Sequence, residues 1–145
     1  MDDLHSNIAL ALAIAASTYS ADSTAVTIDR LGHESLEIAL NIGVGGITFS
    51  GTNKIEFVLT HSDDDNTYTA VTDTDMLGVS GITNGIIKAL VAAHAAANVY
   101  RFGYKGGKRY LRLVADFSGT HGTGTAIAAC AILGCPMIAP VANQA

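Results

Sequence analysis

Glu34-Ser35-Leu36-Glu37-Ile38-Ala39-Leu40-Asn41-Ile42 alternates from end to end. Leu36, Ile38, Leu40 and Ile42 share one side, and Ser35, Glu37, Ala39 and Asn41 share the other. Successive side chains of a strand point to opposite faces, so this pattern marks a half-buried β-strand and excludes a helical stripe.

The same period recurs on both sides of it. Lys54 to His61 places Ile55, Phe57 and Leu59 inward. Val99 to Tyr104 puts Tyr100, Phe102 and Tyr104 on one face, and Arg109 to Phe117 puts Leu111, Leu113, Ala115 and Phe117 inward. Ser23 to Asp29, Ile47 to Phe49, Thr67 to Val71 and Thr125 to Leu133 read as further strands. Ile86 to Val91 reads as a strand followed by a turn or a single helical turn at His94 to Ala97. Ser62-Asp63-Asp64-Asp65-Asn66 is a hairpin tip, because Asp and Asn bond to their own backbone in turns. Gly106-Gly107 reads as a second hairpin turn. A series of about eight or nine short strands with regular turn signals argues for a sandwich or barrel. We read it as all-β: a jelly-roll-like two-sheet sandwich over residues 22–145. The periodicity alone fits an immunoglobulin-like sandwich as well.

Ile8 to Ala16, IALALAIAA, has no polar alternation and must be covered on most sides. It reads either as a short helix capped by Ser6 or Asn7 or as an extended arm along a partner. Residues 1–21 are therefore taken as an N-terminal arm, and removing residues 1–16 is expected to leave the domain folded. The run is too short to span a membrane, and Asp2 and Asp3 stand where an export signal carries positive charge.

Composition narrows the function. The chain has 145 residues, long enough to bury a core without disulfides or metals. Only 14% of residues are charged, below the usual share of about 25%, which suits a surface held against neighbours. The net charge is −5, so the broad basic face that phosphate binding needs is missing and no nucleic-acid partner is expected. Acidic residues gather at Glu56, Asp63, Asp64, Asp65, Asp73 and Asp75, and basic ones at Arg101, Lys105, Lys108, Arg109 and Arg112. These read either as two solvated loops or as complementary patches that guide assembly between subunits.

The residues point to no catalytic chemistry. His5, His33, His61, His94 and His121 stand singly, without H-E-x-x-H spacing. Cys130 and Cys135 match no zinc pattern and read as buried reduced thiols, as in a protein assembled in a reducing cytosol. Ser118 to Gly124 lacks the Lys-Ser/Thr ending of a phosphate loop, and the Asp63–Asn66 cluster lacks the ligand order of a calcium loop. No cofactor, no metal and no enzyme activity are expected.

Gly107-Lys108-Arg109-Tyr110-Leu111-Arg112-Leu113-Val114-Ala115-Asp116-Phe117-Ser118-Gly119-Thr120 is followed by Gly124-Thr125-Ala126-Ile127-Ala128-Ala129, Ile132-Leu133-Gly134 and Pro136. With His61 to Val71 and Asp29 to Leu36, this resembles the capsid cement, or decoration, proteins of tailed bacteriophages of the Bordetella podovirus type. The resemblance implies a jelly-roll virion protein, assembled in the host cytoplasm. It would sit on the capsid exterior as a homodimer or other homo-oligomer and clamp neighbouring major capsid protein subunits. The contact residues would be Leu4, Ile8, Leu10 and Leu12 of the arm, and Arg101, Lys105, Lys108 and Arg109 of the basic hairpin. A rival reading is a receptor- or glycan-binding jelly-roll module of a tail or spike, which calls for an exposed aromatic cluster or a metal site.

Overall fold

The computed structural model describes residues 3–145. Alternation becomes strand wherever it was cleanest. The chain runs through a 3-10 turn at His5–Asn7 and then β1 (Ile8–Tyr19), β2 (Ile28–Asp29), β3 (His33–Ile42), β4 (Lys54–Ser62) and β5 (Thr69–Ala70). It continues through β6 (Met76–Leu77), β7 (Ile86–Leu90), β8 (Asn98–Tyr104), β9 (Tyr110–Ser118) and β10 (Thr125–Pro136).

The strands form two packed antiparallel sheets. Sheet A has the order β1-β10-β3-β8-β6. Sheet B has β2-β9-β4, with β7 and β5 pairing end to end along the far edge of β4. With the two-residue strands β5 and β6 set aside, the first strand lies beside the last, and the chain swaps sheets at nearly every step. That is the double Greek key of a jelly roll. Between the sheets lie Leu36, Ile38, Leu40 and Ile42 of β3, Ile55, Phe57 and Leu59 of β4, and Leu111, Leu113 and Ala115 of β9, all buried. Each large side chain so buried contributes about 1.5–3 kcal/mol.

The hydrogen-bond ladders correct several expectations. Gly106-Gly107 does not close a hairpin: β8 pairs with β3 and β6, while β9 pairs with β2 and β4, so this corner carries the chain from one sheet to the other. It folds back over Tyr104, and a Cβ on Gly106 would lie 2.4 Å from the Tyr104 hydroxyl. Ile47 to Phe49 finds no strand to pair with; it is loop, and Phe49 plugs the core from it. Of Ser23 to Asp29 only Ile28–Asp29 joins a ladder, although Ser23 is tied to Ala115 by a hydrogen bond from each backbone N–H. The hairpin at Asp63–Asn66 is present, but its return strand shrinks to Thr69–Ala70. There is no helical turn at His94 to Ala97. His94 instead fixes that loop, bonding the Gly43 carbonyl at 2.8 Å and the Tyr100 hydroxyl at 3.0 Å. Cys130 is half-buried and Cys135 exposed, because Cys130 points outward from β10 and Cys135 lies at its C-terminal end.

The apolar run near the N-terminus is neither helix nor free arm. It is β1, paired with β10 from Ile8↔Gly134 to Tyr19↔Thr125. Ala13 and Ile14 enter the core, helped by a register shift after Leu12 that turns Ile14 inward. No helix among the described residues is long and apolar enough to cross a membrane.

Candidate functional site

The outward face of sheet A is the most distinctive surface of the molecule. Register fixes its rows. Leu10 lies beside Ile132, which lies beside Glu37, then Gly103 and Leu77. In the next row Leu12, Cys130, Ala39 and Arg101 follow one another, and beyond it Ala128, Asn41 and Val99. Leu10, Leu12, Leu77 and Val99 are all more than half exposed. The middle is floored by small residues, so the face is low and flat there. At one end Ile8, Ile132, Leu77 and Gly103 border a shallow hollow of about 310 Å³. The only acid and base in these rows, Glu37 and Arg101, pair with each other at 3.8 Å. Exposed apolar side chains at both sides of one face, with a single loose ion pair between them, mark it as a candidate interaction surface.

The residues expected to make contacts therefore separate into two places. Ile8, Leu10 and Leu12 come together along the β1 side of this face, with Leu4 exposed just ahead of them. Arg101 shares the face but stands on its far side. Lys105, Lys108 and Arg109 lie elsewhere, at the corner between β8 and β9. Sequence reasoning passed over Ile132, Ala128, Val99 and Leu77. The available signal was β10, which is as apolar as β1 and equally without alternation; such a run belongs to a strand covered on both sides.

At the corner the acidic and basic clusters meet each other. Arg109 grips Asp29 with two hydrogen bonds of 2.8 Å, and this pulls the Asp29 carboxyl below its ordinary pKa. Lys108 reaches Asp63 at 3.5 Å, and Arg112 reaches Asp65 at 3.2 Å. Of the bases expected to join subunits, Arg101, Lys108 and Arg109 are thus paired within one chain, while Lys105 is exposed with no acid of the described residues at ion-pair distance. Such exposed pairs contribute about 0–1 kcal/mol each, so they shape the corner more than they stabilise it. Asp64 accepts from the backbone N–H of Thr67 and Asn66 and from the Ser62 hydroxyl, which holds its carboxyl down to about 2. All three carboxylates of the tip have protein partners. Among the described residues, no three His, Cys, Asp or Glu side chains are placed to share a metal ion.

Behind the corner, His61 is buried with its Nδ1 2.8 Å from the Tyr104 hydroxyl. The Tyr104 oxygen also accepts from the Lys108 backbone N–H at 3.2 Å. Desolvation lowers the His61 pKa and outweighs the opposing pull of Asp75 and Asp63. The folded state therefore prefers neutral imidazole. This contribution to stability is fully present above the unfolded value near 6.5 and is lost as pH falls through the lower folded value. The midpoint of urea unfolding should accordingly drop between pH 7.5 and pH 5, and a His61→Gln variant should show a flatter profile over that window. Equal slopes for the two proteins would contradict the assignment.

No protein-family model matches the chain, and no curated protein matches it.

Proposed function

We propose that this is a structural protein of a tailed-phage particle, bound to the outside of the capsid through the outward face of sheet A. One observation carries the reading. β1 and β10 are apolar on both sides, yet only their inner sides meet the core; Leu10 and Leu12 face outward and stay more than half exposed, with Ile132 half-buried between them and the C-terminal segment lying only along the edge beside Leu10. Apolar surface removed from water stabilises a contact by about 25 cal/mol per Å². A flat face of this kind suits docking across the seam between two major capsid protein subunits. The jelly-roll topology and the likeness of the β4–β5 and β9–β10 phrases to cement proteins support the same reading. Many copies, each held modestly, would resist expansion of the shell together, since multivalency converts weak single contacts into strong retention.

The test is decoration of undecorated capsids by the purified protein, read by co-sedimentation and by the position of its density in particle images. Leu12→Asp should reduce decoration by about tenfold or more, the effect of about 1.4 kcal/mol at a buried contact. Its stability should stay within about 0.5 kcal/mol of the parent, as for surface substitutions generally. Full decoration by Leu12→Asp, or density away from the capsid exterior, would refute the proposal.

A further inference from the structure

The outer side of β1, twelve residues long, is the longest strand edge among the described residues; the other edges are the short strands β2, β5, β6 and β7 and the stretches of β8 and β9 that β6 and β2 leave uncovered. An apolar edge of twelve residues invites pairing with another strand, and natural sheets protect such edges. Here the protection comes from the far end of the same chain. The Gln144 side chain lies against Leu10: its Oε1 accepts from the Leu10 N–H at 2.8 Å, and its Nε2 donates to the Leu10 carbonyl at 2.8 Å. A carboxamide carries the same donor and acceptor as a peptide group. Gln144 thus occupies the place that one residue of a neighbouring strand would take. Two more bonds hold the segment there: the Val141 N–H donates to the Ser6 carbonyl at 2.9 Å, and His5 Nε2 donates to Asn143 Oδ1 at 2.9 Å.

The cover stops at Leu10. Leu12 has the same pairing phase with β10, so its N–H and carbonyl also point away from the sheet, and no described residue bonds to them. We propose that residues 141–144 are an edge guard, with Gln144 as its key, and that loss of the guard opens β1 to β1 of a second copy. The second copy is the fitting occupant because an antiparallel pair about a two-fold axis matches one strand with itself. The outward faces of both A sheets would then run on as one apolar surface. This inference concerns the edge and not the face, and it stands or falls separately from the capsid reading.

Gln144→Ala in the full chain tests it by two readouts: amide hydrogen exchange and sedimentation over a range of concentrations. The Leu10 amide should exchange about fivefold faster, as expected when a net hydrogen-bond contribution near 1 kcal/mol is removed. With rising concentration the variant should sediment as a species about twice the mass of the wild-type form, as two-fold pairing requires. In that species the Leu12 amide should become protected. Gln144→Glu keeps the size of the side chain but sets an oxygen against the Leu10 carbonyl, and it should behave like alanine. Unchanged Leu10 exchange in Gln144→Ala, wild-type sedimentation up to millimolar concentration, association without Leu12 protection, or a Gln144→Glu protein indistinguishable from wild type would each overturn the proposal.

Discussion

Gly124→Ala should cost about 3–5 kcal/mol, the range of the most damaging single substitutions. Three backbones converge on this residue. Its φ is +86°, a region that L side chains avoid, and an added Cβ would stand 2.5 Å from the Tyr19 carbonyl oxygen at the end of β1. The neighbouring loop presses from the other side, since a Cβ on Gly46 would lie 1.9 Å from the Gly124 carbonyl. None of these atoms is the tip of a flexible side chain, so relief requires moving a strand. With an m-value of about 1–3 kcal/mol/M for urea, the midpoint should fall by about 2 M. Gly51→Ala is the matched control: nothing lies within 4 Å of the new methyl, and the midpoint should hardly move. Equal midpoints for Gly124→Ala and the parent would mean that the three backbones do not meet in this way.

Removing residues 1–16 should abolish cooperative folding. The sequence reading expected the opposite, a detachable arm. Yet β1 contributes Ala13 and Ile14 to the core, while Ala9 and Ala11 pack against it. Loss of a fully buried Ile side chain alone costs about 2–5 kcal/mol, and whole domains hold only about 5–15. The truncation would also strip the β1 ladder from most of β10, baring the apolar edge of β10 in its place. The truncated chain should lose its sigmoidal urea transition and enter aggregates. A soluble product with a sharp transition near the parent midpoint would restore the arm.

The strands read most plainly from the sequence share one property. β3, β4, β8 and β9 each have one side in the core and one less apolar side, so their alternation is visible in one dimension. β1 and β10 lack alternation because neither side is polar; Thr125 to Leu133 still reads as a strand and is one, whereas in Ile8 to Ala16 helix and strand look alike. Met76–Leu77 is too short to carry any period; it becomes β6 only because β8 offers it a ladder. Ile47 to Phe49 shows the reverse, a β-like composition with no partner at hand. The candidate surface was half legible for the same reason: Ile8, Leu10 and Leu12 stood out as an uncovered run, while Val99 and Leu77 acquire meaning only from the register that sets them on the same face. The opposed charges were legible as clusters. That Lys108 pairs with Asp63 and Arg112 with Asp65 within one chain follows from the β4–β5 tip and the β8–β9 corner lying at the same end of the sandwich, and sequence distance hides this.

The pairing of Ile8 with Gly134 also bears on how the molecule is made. β1 leaves the ribosome more than a hundred residues before β10, its one ladder partner among the described residues, and must wait for it before it can settle. Most of the other ladders likewise join segments far apart along the chain, a topology that folds on a timescale of about milliseconds to seconds. During synthesis the nascent chain therefore carries an unpaired apolar strand until β10 emerges, and at high local concentration chaperones would be needed to keep such strands of different chains from finding one another.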